Sequence, residues 1–232
     1  VQLLGEGLQV ADLVVIGSHC VGLDYLLSQL QKRGLRSKFL AVGSTAGLRA
    51  VQRGEADIAG IHLLDPKSDQ YNLPFLDSDL QLLTGYGRRQ GIVFRRGDRR
   101  FEDKELPDLL GVIRNDPTCV MVNRNQGSGT RVLIDQWLEG HQPSGYAVQA
   151  RNHNAVAVSV EQQRSDWGMA IETVARRSKL GFVPLRQEKY DFVIRRGRQT
   201  RGLQLFQTLL AESDVRQSLS SMGFLLDMAP GD

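Results

Sequence analysis

Cys119-Val120-Met121-Val122-Asn123-Arg124-Asn125-Gln126-Gly127-Ser128-Gly129-Thr130-Arg131 is the stretch on which the reading of this chain turns. Cys119 to Val122 is a short apolar run of the kind that forms a buried strand. Gly127, Ser128, Gly129 and Thr130 punctuate it as a turn. Val132 to Leu138 then continues at helical spacing, so the helix is expected from Gly127 to Leu138. A strand, a Gly/Ser/Thr turn and a helix start make a cradle for an anion. The first N–H groups of a helix lack internal partners, and the helix dipole adds partial positive charge there. Ser128 and Thr130 add hydroxyls, while Arg124 and Arg131 add planar forks of donors. The same residues suit an ordinary helix cap, because Ser and Thr are common at that position. Taken alone, the motif leaves both readings open.

Outward from this stretch, strand and helix signals alternate. Upstream, Leu13 to Ile16 reads as a buried strand and Val21 to Leu30 as a helix with Leu23, Leu26, Leu27 and Leu30 on one face. Lys38 to Val42 is the next strand, and a helix from Gly43-Ser44-Thr45 to Arg53 stops at Gly54. Asp57 to Ile61 is a third strand. Around the opening stretch the pattern recurs: a helix over Leu106 to Val112, a strand over Tyr146 to Ala150, a helix over Asn154 to Gln163 and a strand over Trp167 to Ile171. Alternation of this kind predicts α/β architecture with parallel strands and helices on both faces. Gly91 to Gly97 and Tyr190 to Gly197 each carry an apolar core, a double Arg and a Gly. Read as crossovers, they divide the chain into two doubly wound α/β lobes joined by two crossover strands. Lobe one is then 1–90 plus 192–232, and lobe two 91–191. Helices over Gly202 to Leu210 and Ser213 to Ser221 return to lobe one, and a ligand cleft that closes by hinge motion lies between the lobes.

Composition narrows the classes. The chain has 232 residues, 41% hydrophobic and 24% charged, with a net charge of +3. These are values of a soluble globular protein, and no apolar run reaches the ~18 residues of a membrane span. The chain begins at Val1 without a basic end and apolar block, which predicts an excised or processed segment working in the cytoplasm, or in the periplasm if a signal has been removed. Cys20 and Cys119 lie beside apolar runs and read as buried free thiols. His19, His62, His141 and His153 show no zinc spacing, so no metal is expected. Basic residues cluster at Arg88, Arg89, Arg95, Arg96, Arg99 and Arg100, and again at Arg195, Arg196, Arg198 and Arg201. A nucleic-acid face is the sharp reading. A solvated arginine surface is the reading preferred here, because no aromatic residues interleave with the clusters.

In open parallel sheets, ligands sit beyond the carboxyl ends of the strands. Ser18 and His19 follow the first strand, Ser44 and Thr45 the second, His62 and Asp65 the third. In the second half come Arg124, Ser128, Gly129, Thr130 and Arg131, then His153 and Asn154, then Glu172 and Thr173. Hydroxyl-bearing turns from both halves suit a compact tetrahedral oxyanion, with one or two Arg for charge. Each residue also has a plain reading: His19 and His62 as surface or capped histidines, Asp65-Pro66 as a turn, Trp137 and Trp167 as core anchors.

These residues resemble a known family. Val42-Gly43-Ser44-Thr45-Ala46-Gly47-Leu48, Arg53-Gly54-Glu55-Ala56-Asp57, Gly60 to Pro66, Asn123-Arg124, Gly127 to Arg131 and Asp166 to Ile171 look like the type 2 periplasmic-binding-protein fold. The likeness is to its molybdate/tungstate-receptor-like domain, which occurs fused behind helix-turn-helix regulators or molybdopterin-biosynthesis proteins. It implies that Ser18, Ser44, Arg124, Ser128 and Thr130 fall where those receptors place oxyanion donors. Two segments depart from the family. Gly17 to Gly22 carries His, Cys and Val in place of hydroxyls, and Glu172 stands where neutral donors are usual; an organic ligand, such as a pterin-related compound, would suit that acid.

The expected function is a non-catalytic domain that binds and senses a small ligand, an oxyanion such as molybdate or tungstate, and needs no cofactor. The expected ligand residues are Ser18, His19, Ser44, Thr45, His62, Asp65, Arg124, Ser128, Gly129, Thr130, Arg131, Asn154 and Glu172, with no catalytic residue. The competing readings are a hydrolase, with Ser128 or Cys20 as nucleophile and His153, His62 or His19 as base, and a nucleic-acid module on the Arg clusters. Gly127-Ser128-Gly129 is not a nucleophile elbow, which needs two residues flanking the Ser between its glycines.

Overall fold

A computed structural model of the chain describes residues 11–226; the expected ends of lobe one at Val1 and Asp232 lie outside them. The described residues fall into two compact units, 11–85 with 190–219, and 86–189 with 220–226.

In the first unit, β1 (Leu13–Gly17) leads to α1 (Val21–Lys32), β2 (Ser37–Ala41), α2 (Ser44–Gln52) and β3 (Ile58–Ile61). Two long strands, β6 (Leu80–Phe94) and β10 (Gly181–Arg195), contribute residues to both units. The strand order here is β2-β1-β3-β10. β1 runs parallel to both neighbours, and β10 pairs antiparallel with β3, Asp191 opposite Ile61 and Ile194 opposite Ile58. All of β3 is buried, as expected of a strand covered on both faces. Leu23, Leu26 and Leu30 form the buried face of α1, which packs on α7 (Arg201–Ala211). Phe206 of α7 meets Phe192 of β10 edge to face at 4.9 Å. α8 (Ser213–Ser221) follows, burying Val215 and Leu219. A short hairpin, β4 (Leu64–Asp65) and β5 (Gln70–Tyr71), follows β3.

In the second unit, α3 (Leu106–Asn115), β7 (Met121–Arg124), α4 (Gly129–Leu138), β8 (Gln149–Ala150), α5 (His153–Glu161), β9 (Trp167–Ile171) and α6 (Glu172–Arg177) follow in order. The strand order is β6-β9-β7-β8, with β9 antiparallel to β6 and parallel to β7, and β7 parallel to β8. Ile92, Phe94, Phe101, Leu109, Met121, Trp167 and Met169 make the core. Trp137 packs edge-on to Trp167 at 6.1 Å, so both indoles are core anchors.

Four expectations need correction. The two segments read as starting at Gly91 and Tyr190 are the ends of strands beginning at Leu80 and Gly181. Arg88, Gln90 and Glu188 break the apolar pattern there. They are buried polar groups that bond one another, Arg88 pairing with Glu188 and Gln90 donating to the same carboxylate. The strand expected over Tyr146 to Ala150 shrinks to Gln149–Ala150. Gly145 holds φ at +85°, and turn bonds from Tyr146 N to Pro143 O and from Val148 N to Gly145 O take up the backbone before it. The helix expected from Gly127 begins at Gly129, because Gly127 sits at φ +81° and Ser128 is the cap. β7 begins at Met121, two residues later than expected. Among the described residues, no helix is long and apolar enough to cross a membrane.

One close approach positions the first unit's strand edge. A Cβ on Gly47 would lie 2.5 Å from Ile16 O and 2.6 Å from Gly17 Cα, so only a glycine lets α2 settle on the end of β1. Gly47→Ala gains about 1 kcal/mol of helix propensity. It loses about 3 kcal/mol to overpacking against backbone. The expected net loss is about 2 kcal/mol, read as a lower urea midpoint. Cys119 is fully buried, and burial pushes its thiol up to about 12 from an ordinary 9.0. The unfolded chain ionises first, so this group's stabilisation is complete below pH 9.0 and drains as pH rises toward about 12. At pH 8 a thiol reagent is expected to label Cys119 only as fast as the protein unfolds globally; rapid labelling of the native protein contradicts this.

Candidate functional site

The first unit gathers Ser18, Ser44 and His62 at one edge, because β1, β2 and β3 are parallel and their carboxyl ends share it. Ser18 and Ser44 are 8% exposed, and their hydroxyls bond each other at 2.8 Å. Ser44 Oγ also accepts from His62 N at 3.0 Å. Ser44 is the first residue of α2, with Gly43 as its cap at φ 86°, ψ 165°. Tyr190 closes the set from β10. Its hydroxyl donates to Ser18 O, its ring packs on Gly60, and it stacks with His62 at 6.1 Å and 22°.

A proton count follows from these bonds. The two serine oxygens hold two hydrogens, and their mutual bond uses one. Whichever oxygen donates, one hydroxyl hydrogen is left for a further acceptor.

Other expected residues of this unit lie apart from the pair. His19 Nε2 bonds Asp24 Oδ2 at 2.8 Å, and its ring is tilted against Phe39. Thr45 is exposed. Asp65 caps its own turn, accepting from Lys67 N, Ser68 N and Ser68 Oγ. The Ser68 hydroxyl and these amides hold its carboxyl below the usual range.

The second unit gathers a different donor set at the carboxyl ends of β7, β8 and β9. Arg124 ends β7 and is 7% exposed. Its guanidinium bonds Ala150 O at 3.3 Å, Arg151 O at 3.4 Å, Thr130 Oγ1 at 3.4 Å and His153 Nδ1 at 3.0 Å. No carboxylate lies within ion-pair distance of it among the described residues. Burial pushes Arg124 down to about 10; the Arg88 charge pushes the same way, and Glu188 partly opposes both. Such a shift marks a cation short of negative charge.

Thr130 is 1% exposed beside Arg124. Ser128 is the N-cap of α4, accepting from Arg131 N at 3.2 Å, and Gly129 is the first helical residue. Arg131 is turned to another task. Its Nε bonds Asp135 at 2.8 Å, its NH2 bonds Tyr146 Oη at 2.7 Å, and its guanidinium lies 4.5 Å from the Tyr146 ring centroid. It reaches the Arg124 segment through NH1, which donates to Arg124 O. Asn154 is the second residue of α5, behind the Asn152 cap. Glu172 opens α6 with its carboxylate held by two arginines, Arg89 at 2.8 Å and Arg176 at 2.7 Å. Ser128 as a cap and His153 beside Arg124 are separate fittings, with no bond between them among the described contacts.

The arginine clusters are mostly tied down. Arg88 pairs with Glu188, Arg89 with Glu172, Arg95 with Asp166, Arg100 with Asp98 and Asp166, and Arg198 with Asp57. Arg196 donates to the carbonyls of Ser78 and Leu80. Paired guanidinium groups of this kind leave little free charge for a phosphate backbone.

Sequence reasoning left Tyr190 outside the site. It sits in a long strand whose buried polar residues, Glu188 and Asp191 among them, could have signalled a task, since buried charges must be paired or used.

Comparison with known proteins places this geometry. Residues 27–211 match the family model described as the PBP superfamily domain. Uncharacterized protein YvgK of Bacillus subtilis (strain 168) is 27% identical over 223 residues, 90% of this chain and 69% of that one. A substrate-binding protein from Clostridium perfringens with bound phosphate aligns at a TM-score of 0.70 and 12% identity, covering 93% of this chain and 99% of that one. The regulatory domain of HypT from Salmonella typhimurium aligns at 0.64 and 11% identity, covering 94% and 99%. At these identities the two structures share the fold alone. The mixed α/β fold is of the type 2 periplasmic-binding-protein kind, and the chain belongs to the PBP superfamily domain family.

Proposed function

We propose that this chain is a non-catalytic receptor for a small oxyanion of the molybdate, tungstate or phosphate class. The observation that carries the proposal is Arg124, a guanidinium 7% exposed, ringed by carbonyls, a hydroxyl and an imidazole, with no carboxylate partner among the described residues. Burying a charge without a counter-charge is costly. An anion supplies the missing charge and accepts charge-assisted hydrogen bonds. The Ser18–Ser44 pair supports the same reading, since its spare hydroxyl hydrogen suits an acceptor. Membership of a ligand-binding family and the phosphate held by the Clostridium perfringens fold neighbour add to it. An organic ligand would need Glu172 as acceptor, and that carboxylate already faces Arg89 and Arg176. We extend the proposal to a cytoplasmic sensor whose bound state is read by a further domain, of the helix-turn-helix or molybdopterin-biosynthesis type that the sequence resemblance names.

Isothermal calorimetry with molybdate, tungstate, sulfate and phosphate tests the proposal. Saturable heat and a raised melting temperature with at least one are expected; neither effect with any of the four rejects it. Arg124→Met is expected to weaken the best anion about 50-fold, the loss of charge-assisted bonds. Equal affinity in this variant and the unaltered protein removes Arg124 from the site.

A further inference from the structure

His153 meets Arg124 in a way that fixes the charge of its ring. It opens α5 and is 9% exposed. Its Nδ1 lies 3.0 Å and its Nε2 3.4 Å from the same guanidinium nitrogen, NH1. A guanidinium only donates, so a lone pair of the ring has to face it. An imidazolium has no lone pair and would set two N–H groups against a cation. The ring is therefore neutral while Arg124 holds no anion. The start of α5 acts in the same direction, because a helix N-terminus disfavours a cation. The elements packed against α5 are β7, β8, β9 and α6. β7 brings Arg124, whereas β8 and β9 carry no ionisable side chain. α6 brings Glu172, Arg176 and Arg177, and Glu172 already pairs with Arg89 and Arg176. The acid of α5 itself, Glu161, stands at the far end of that helix, and the exposed Arg151 precedes it. The surroundings of the ring are cationic on balance.

We infer that His153 is a further anion-binding residue, one that takes up a proton when Arg124 receives a dianion and so gives the site its second positive charge. The contact between the two side chains carries this step, which rests on the oxyanion reading given above. A dianion that accepts from NH1 brings its oxygens within reach of the ring. Arg124 and a dianion together keep one negative charge, and a proton on His153 cancels it. With a monoanion, Arg124 alone balances the charge. The proton comes from solvent, binds the ring nitrogen that had faced NH1, and is donated to an anion oxygen in a charge-assisted bond. The ligand class favoured is a tetrahedral dianion that carries no proton of its own. The bound state then holds one proton more than the empty state, so affinity grows as pH falls through neutrality and is lost as pH rises.

Calorimetry on the whole chain tests this, with molybdate, tungstate and sulfate as dianions and perrhenate as a monoanion of the same tetrahedral shape. Each titration is run near neutral pH in two buffers of different ionisation heat, so that the difference in heat counts the protons taken up. The unaltered protein is expected to take up about one proton per dianion and almost none per perrhenate. One linked proton raises dianion affinity about tenfold for each pH unit lost around neutrality. His153→Gln keeps an acceptor for Arg124 and cannot titrate. Its proton uptake is expected to fall to near zero, and its dianion affinity to lose the dependence on pH. A merely structural role weakens all the anions alike and leaves the proton count alone. A thermal melt checks the variant; should His153→Gln not fold, proton uptake by the unaltered protein carries the test. Dianion binding without proton uptake, or uptake that persists in His153→Gln, overturns the role of His153 while anion binding stands. Binding of phosphate alone does the same, since hydrogen phosphate brings its own proton. Failure of the unaltered protein to bind any of these anions overturns both proposals.

Discussion

A guanidinium buried at the end of a strand has to be surrounded by acceptors, and much of the second unit's edge is built to provide them. Arg124 reaches the carbonyls of Ala150 and Arg151 after β8, the hydroxyl of Thr130 in α4 and the ring of His153 in α5. One side chain thereby ties two successive strand-to-helix junctions together, β7 to α4 and β8 to α5. The helices start where they do for local reasons as well. Ser128 caps α4 and Asn152 caps α5, each accepting an amide three residues ahead. Arg131, one turn into α4, braces the same edge through Asp135 and Tyr146. The outcome is a cation ringed by hydrogen-bond partners and with no carboxylate in ion-pair reach among the described residues.

The first unit solves a different problem, bringing two serines into contact. Neither Ser18 nor Ser44 is held by its own turn alone. Gly47 lets α2 lie against β1, which carries Ser44 to Ser18. The Tyr190 hydroxyl then fixes the backbone at Ser18, while His62 N occupies one acceptor site on Ser44. Tyr190 follows Glu188 by two residues along β10. That strand therefore carries residues of both units.

The alternation of strands and helices was legible from apolar runs and glycine stops, and β1, α1, α2, β3 and β9 lie within a residue or two of expectation. Periodicity works there because one face or both faces are apolar. It failed on β6 and β10, where Arg88, Gln90 and Glu188 are interior yet polar. Their pairing is long-range, and no local pattern reports it. Ser18, Ser44, Arg124 and Thr130 were legible as candidates because each lies at or after the carboxyl end of a strand. The present partners of His19, Asp65, Arg131 and Glu172 were not. Each carries a polar group of the right type, but a nearby residue claims it: Asp24, Ser68, Asp135 and a pair of arginines respectively. Strand-end position selects candidates, whereas local bonding decides which remain available.

The pairing of the arginines also bears on handling the protein. A sequence pI near 9.0 suggests firm retention on a cation-exchange column. Retention follows exposed patches of one sign, and here Arg95, Arg100 and Arg198 each carry their own carboxylate. The protein should therefore elute from such a resin earlier than its isoelectric point alone suggests.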